Sequence, residues 1–273
     1  MSLVGAGPGD VELLTLKALR RLREADLVLY DALVETELLE LAPKAKRFFV
    51  GKRAGRHSID QDGINALLVR AAKRGERVVR LKCGDPFVLG RGGEEALALE
   101  AAGVAYEVVP GVSSAIAAPA LAGIPITHRG LSAGFVVLSG HAESAFGATL
   151  DSLAPNALTI VVLMGLRTRG EIAQRLIARG WSPSTPAAIV LGASHTGAAR
   201  WLGTVGTLGD AVIDASPLAE SGRREPRIVA DADTRGSIRP DSLAGVIVIG
   251  AVVELATRIA NEHISEVAAV RSL

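Results

Sequence analysis

With 273 residues the chain is long enough for one large domain or two of ordinary size. Thirty lysines and arginines stand against 29 acids, and the net charge of +1 excludes a protein built mainly to hold bulk nucleic acid or an anionic membrane surface. A 49% share of hydrophobic residues beside 22% charged ones excludes an unfolded chain. One cysteine excludes an internal disulfide framework, and five histidines without His-x-x-x-His spacing leave no metal site to expect. The positive mean hydropathy, +0.33, does not imply a membrane span, which needs roughly 20 apolar residues in a row. The stretch 112–127 is interrupted by Pro119, Gly123 and Pro125, and 243–253 is too short. No basic, then apolar, then small-residue leader opens the chain, so a soluble cytoplasmic protein is expected.

In chain order, short β-branched runs alternate with helix-period segments, the pattern of largely parallel sheets covered by helices. Leu3-Val4 is a strand stub before a glycine-rich turn. Asp10 is placed to cap a helix with Leu13, Leu16, Leu19 and Leu22 on its apolar face. Strands follow at 27–30 and 47–50, with a short helix at 35–41 between them. Ser58 with Gln61 has capping-box spacing, and the helix it opens carries Ile64, Leu67, Leu68 and Ala71 and ends at Gly75. A strand at 78–81, a helix at 93–102 closed by Gly103, and a strand at 106–109 complete the first series.

Past Pro110-Gly111 the composition turns to small residues and prolines, a shift that predicts two domains, 1–122 and 123–273. The second series has strands at 135–138, 159–164, 187–190 and 246–249, with a helix at 168–179 stopped by Gly180. Residues 215–242 are polar and aperiodic, as a mobile surface insertion would be.

Four segments can carry chemistry. Gly5-Ala6-Gly7-Pro8-Gly9-Asp10 joins a strand to a helix, where glycines permit close backbone approach to a ligand; a plain turn reads the same way. The dinucleotide fingerprint requires Gly-x-Gly-x-x-Gly, and Pro8 lacks an N–H for a pyrophosphate, so a nicotinamide-dependent oxidoreductase fits poorly. Lys82 to Glu95, KCGDPFVLGRGGEE, follows a strand at the end where open α/β sheets hold ligands. Asp31 with the run Lys52, Arg53, Arg56 and His57 concentrates cations at another strand end, as an anion site or a solvated charge run would. Ser113-Ser114 stand at a helix start, and His128-Arg129 add a further cationic point.

Together and in order, VGAGPGD, LYDALV, VGKRAGRHS, RLKCGDPFVLGRGGEE, VVPGVSSA, GIPITHRG, SGH and VLMGL resemble the tetrapyrrole methylase family. The resemblance runs from Val4 to about Thr207, more loosely at 245–253, and VGKRAG-x-H with PITHR points to the branch acting on uroporphyrinogen. It implies two α/β domains with mostly parallel sheets, a ligand cleft between them, and a homodimer. The implied cofactor is S-adenosylmethionine, leaving as S-adenosylhomocysteine, with no metal. The implied reaction is methylation of carbons 2 and 7 of uroporphyrinogen III, giving precorrin-2 for sirohaem or cobalamin synthesis. A methyltransferase acting on a later corrin precursor is the nearest alternative. With no dehydrogenase-like segment ahead of the motifs, a free-standing methylase is expected rather than the fused sirohaem enzyme.

Carried over by motif, cofactor contacts come from Pro8, Cys83, Gly84, Asp85, Val88, Ser113, Ser114, Met164 and Ala193. Asp31, Lys52 and Arg91 match positions tied to catalysis or substrate handling. Cys83 stands where the family's Gly-Gly-Asp turn has its first glycine; a positive φ there would strain a cysteine. The charge pattern agrees independently. A tetrapyrrole with acetate and propionate arms requires a cationic site on a neutral protein, and Arg53, Arg56, His128 and Arg129 supply it beside Lys52 and Arg91. Asp31 is then the group that accepts a proton after attack or holds a pyrrole N–H.

Overall fold

Valine, leucine and isoleucine runs closed by glycine or charged turns form two sheets, one in each of two compact units, Met1–Ser114 and Ala115–Leu273. The computed structural model of the chain describes residues 1–51, 59–194, 198–211 and 244–259.

The first unit holds strands β1 (Ser2–Gly5), β2 (Leu27–Tyr30), β3 (Lys46–Phe49), β4 (Val78–Lys82) and β5 (Glu107–Val109). They pair in the order β3-β2-β4-β1-β5, every pair parallel. Helices α1 (Leu16–Glu24), α2 (Thr36–Glu40), α3 (Gln61–Lys73) and α4 (Gly92–Ala101) cover both faces. Because side chains alternate along a strand, Val4, Val28, Val79 and Leu81 pack on Ala18 and Leu22 of α1 and Leu38 of α2. Leu3, Leu29 and Val78 meet Ile64 and Leu68 of α3 and Leu99 of α4 on the other face. Two of the three interior strands, β1 and β4, are buried at every position, as strands covered on two sides tend to be.

Two helix starts differ from the expected ones. Asp10 caps a short 3₁₀ turn, Val11–Leu13, accepting from the Glu12 N–H, and α1 begins afterwards with Thr15 accepting from the Ala18 N–H. The shift turns Ala18 and Leu22 inward and leaves Leu16 79% exposed, so of the four expected leucines only Leu22 is fully buried. The cap of α3 is Asp60, which accepts from the Gly63 N–H at 2.8 Å, rather than Ser58, which lies outside the described residues.

The second unit has β6 (Phe135–Ser139), β7 (Thr159–Leu163), β8 (Pro186–Leu191), β9 (Ala199–Thr204) and β10 (Gly245–Ile249), ordered β6-β7-β10-β8-β9. β6 and β7 are parallel, β10 runs antiparallel to β7 and β8, and β9 runs antiparallel to β8. Five of the eight described pairs are thus parallel, and the antiparallel ones all belong to this sheet. Helices α6 (Glu143–Ser152), α7 (Arg169–Ala178) and α8 (Val205–Leu208) cover one face through Phe146, Leu150, Ile172, Leu176 and Leu208.

The other face takes α5 (Ser114–Leu121), whose Ala115 and Ala118 pack with Val161, Val190, Val246 and Val248. The units therefore divide at Ser114, not after 122: the small residues that mark the junction in the sequence let α5 lie close on the second sheet. No described helix is long and apolar enough to cross a membrane. The expected insertion at 215–242 lies outside the described residues.

Candidate functional site

Ligands of open parallel sheets sit beyond the carboxyl ends of the strands, where successive connections leave in opposite directions. Here β1 leads to β2 across β4, and β4 leads to β5 across β1, so the ends of β1, β4 and β5 are that place. Three glycines bring those ends together. A Cβ on Gly5 would lie 2.5 Å from the Gly111 nitrogen, and one on Gly111 would lie 2.3 Å from the Gly84 carbonyl oxygen. Gly7 and Gly84 also exchange backbone hydrogen bonds: the Gly84 N–H donates at 2.7 Å and the Gly7 N–H at 3.2 Å.

The positive φ of this turn, +66°, falls on Gly84. Cys83 is free of the strain a cysteine would meet there, and it fits the first position of the turn. Its Sγ lies 3.9 Å from the Gly7 carbonyl, and burial, with the Asp31 charge adding, pushes the thiol up to about 11. The Asp85 carboxylate ties two loops, accepting from the Phe87 N–H at 2.8 Å and the Gly111 N–H at 3.1 Å. Ser113 is buried, and Ser114 opens α5 with its nitrogen 3.6 Å from where a Gly84 Cβ would stand. Pro8, Cys83, Gly84, Asp85, Ser113 and Ser114 thus belong to one small region of the first unit.

That geometry also weighs against a dinucleotide. A pyrophosphate on a glycine-rich loop is held by free backbone N–H groups. Here the Ala6 N–H donates to the Lys82 carbonyl at 2.7 Å, the Gly7 N–H goes to Gly84, and Pro8 has none. What the loops do offer is a backbone cradle bordered by exposed Phe87, Val88 and Leu89, which suits an uncharged nucleoside better than a phosphate.

Beside the cradle lies a charge network that the sequence reading did not assemble. Arg80 and Lys82 project from the α3/α4 face of β4, and Glu95 meets them from α4. Arg80 Nε and Lys82 Nζ donate to Glu95 Oε1 at 2.9 and 3.0 Å. Arg80 Nη2 donates to Asp31 Oδ1 at 2.5 Å, and Lys82 Nζ lies 3.7 Å from Asp31 Oδ2. Burial is the main cause lowering the Lys82 ammonium below its ordinary range. Two cations in a strand buried at every position were the available signal, since such charges require buried counter-charges.

Arg91 caps α4 in the left-handed region, φ +58°, and pairs at the surface with Glu94 through two bonds of 2.8 and 2.7 Å. In the second unit Met164 follows β7 with φ +60° and is 52% exposed; Ala193 and Ser194 follow β8, Ser194 with φ +72°. Among the described residues five non-glycines have positive φ, and Leu89, Arg91, Met164 and Ser194 all lie in motif loops. Only Asn156, a type that tolerates the conformation, lies elsewhere. His128 and Arg129 are exposed on a turn closed by reciprocal 2.9 Å bonds with Ser132, and line a hollow with Leu131, Leu255, Arg258 and Ile259. Lys52, Arg53 and Arg56 lie outside the described residues.

A sequence model of the family described as Tetrapyrrole (Corrin/Porphyrin) Methylases matches residues 1–209, and the chain belongs to that family. The chain is 45% identical over 257 residues to a uroporphyrinogen-III C-methyltransferase of Methanocaldococcus jannaschii, covering 93% of this chain and 96% of that one. Among solved structures it is similar to a uroporphyrin-III C-methyl transferase from Thermus thermophilus complexed with S-adenosylhomocysteine. The TM-score is 0.71 at 39% identity, over 93% of this chain and 98% of that one. A cobalt precorrin-4 methyltransferase superposes with TM-score 0.70 at 26% identity, over 92% of this chain and 95% of that one.

Proposed function

We propose that the chain transfers methyl groups from S-adenosylmethionine to carbons 2 and 7 of uroporphyrinogen III, giving precorrin-2. The observation that carries this reading is the glycine cradle at the ends of β1, β4 and β5, whose Ala6 and Gly7 N–H groups are already occupied. The donor set fits the cofactor, with a carboxylate at Asp85, apolar surface at Val88 and hydroxyls at Ser113 and Ser114. Pro8, Cys83 and Gly84 form its backbone floor, and Met164 and Ala193 are assigned to it by motif. Identity is higher to the uroporphyrinogen enzymes, 45% and 39%, than to the cobalt-precorrin-4 enzyme, 26%, which favours the earlier substrate.

When bound, the cofactor supplies a methyl group already activated on a sulfonium, so the chain's task is to position the electron-rich pyrrole carbon. Asp31, partly exposed and with both oxygens facing cations, accepts a pyrrole N–H and holds the ring's orientation. Arg91 exchanges Glu94 for a carboxylate arm of the substrate, and Lys52, Arg53, Arg56, His128 and Arg129 hold the remaining arms. The protein acts in the cytoplasm as a homodimer, the assembly its family resemblance implies.

Calorimetric titration tests the cofactor assignment. S-adenosylhomocysteine binds and NAD does not, and Gly111→Ala, which forces a Cβ onto the Gly84 carbonyl, weakens the binding. Binding of NAD in place of S-adenosylhomocysteine would overturn the reading.

A further inference from the structure

We propose that Arg80, anchored by Glu95, is the positioning residue that fixes Asp31 for the substrate; the proposal rests on the function given above. Four ionised groups make up the network. Three are inside: Arg80 at 2% exposure and Glu95 at 0%, with the Lys82 side chain at 4%. Together these three carry one excess positive charge, and Asp31 neutralises it from the one place in the network that reaches solvent, with its side chain 30% exposed. Buried ion clusters add little net stability, because desolvation offsets their attraction and well-packed apolar side chains do as well. Stability is therefore a poor reason for burying these groups.

Their geometry supplies a better one. The Arg80 guanidinium is held on two sides before it reaches Asp31: Nε donates to Glu95 Oε1, and Nη1 donates to the Leu29 and Leu81 carbonyls at 3.5 and 3.3 Å. A planar fork fixed in this way leaves Nη2 a single direction, and Asp31 Oδ1 lies along it. The backbone register places the partners: Tyr30 of β2 pairs with Leu81 of β4, so Asp31, the next residue, comes level with Lys82 at the carboxyl end of the sheet. Nothing in this arrangement needs Arg80 to touch the porphyrinogen. A lysine at position 80 would keep the charge and lose the fork.

A double-mutant cycle with Arg80→Lys and Asp31→Asn tests the proposal, read in kcat, in KM for uroporphyrinogen III, and in Kd for S-adenosylhomocysteine. Arg80→Lys lowers kcat about tenfold or more, the scale of lost orientation, and leaves the S-adenosylhomocysteine Kd unchanged. In the Asp31→Asn background the same change costs no further kcat, and the melting temperatures of the four proteins are non-additive. Glu95→Gln replaces Arg80→Lys in the cycle should the latter fail to fold. Equal losses in both backgrounds, or wild-type kcat in a folded Arg80→Lys protein, overturn the positioning role while leaving the enzyme's function standing. A wild-type protein that transfers no methyl to uroporphyrinogen overturns the function itself, and this role with it.

Discussion

Cys83 sits between the turn after β4 and the Gly7 carbonyl, where burial holds its thiol neutral, pushed up to about 11. A neutral thiol is a poor nucleophile, so disulfide exchange with an aromatic reagent at pH 8 runs about tenfold or more slower in the folded protein than after unfolding. Equal rates in the two states would show that the half-buried thiol is not shielded by its turn. Much at this scale is legible from residue types. The Cys83-Gly84-Asp85 turn and Asp31 stand out as motifs, and the positive φ lands on the glycine as the turn requires. The Arg80–Glu95–Lys82 cluster is not legible as a cluster, because its members meet through the register of β2 on β4 and the seat of α4. The sequence shows only that β4 contains cations which must be answered somewhere.

Glu107 on β5 ties that edge strand to α1. It accepts from Arg21, from Lys17 at 2.9 Å and from the Ser2 hydroxyl at 3.0 Å, and the Arg21 hydrogen bond above all holds its carboxyl down at about 2. A carboxylate whose folded value lies below its ordinary 4.5 favours the folded state fully above 4.5, and loses that contribution as pH falls toward 2. Glu107→Gln should therefore flatten the fall of melting temperature between about pH 5 and 2 while changing it little below that window. An unchanged pH slope would show that the α1–β5 tie does not persist in solution. On α6, Phe146 is buried in the second core, and Phe146→Ala should destabilise by about 3–5 kcal/mol in urea unfolding. A loss under about 1 kcal/mol would contradict its packing.

Interior strands such as β4 and β7 are easy to read, since they are almost unbroken runs of buried residues. The strand β9 escapes notice because Arg200 and Gly203 break its pattern and only its first residue is fully buried. Helix α6 escapes too, with Gly147 mid-helix and no side-chain cap at Ala142. The start of α1 is misplaced because Asp10 and Thr15 both carry capping chemistry and the nearer one serves a 3₁₀ turn.

Across the molecule, two α/β units are foreshadowed by the alternation of strand and helix segments, and their boundary by the shift to small residues after Gly111. The antiparallel place of β10 between β7 and β8 is not foreshadowed, because adjacency in a sheet depends on contacts far apart in the chain. Function rests on the cradle in the first unit together with family membership. If Lys52 serves the substrate arms as proposed, Lys52→Ala should raise KM for the porphyrinogen and leave S-adenosylhomocysteine affinity within a few-fold. A parallel loss of both would assign Lys52 to the cofactor.

Two methylations of one macrocycle require it to present two carbons in turn, which adaptable lysine and arginine side chains permit more readily than a rigid pocket. The most direct test is mass spectrometry of the porphyrinogen over time, with uroporphyrinogen III in excess and S-adenosylmethionine limiting. A monomethylated species should appear first and convert to the dimethylated product when cofactor is replenished. A porphyrinogen whose mass never changes, or one that stops at a single methyl group with cofactor in excess, would contradict the account.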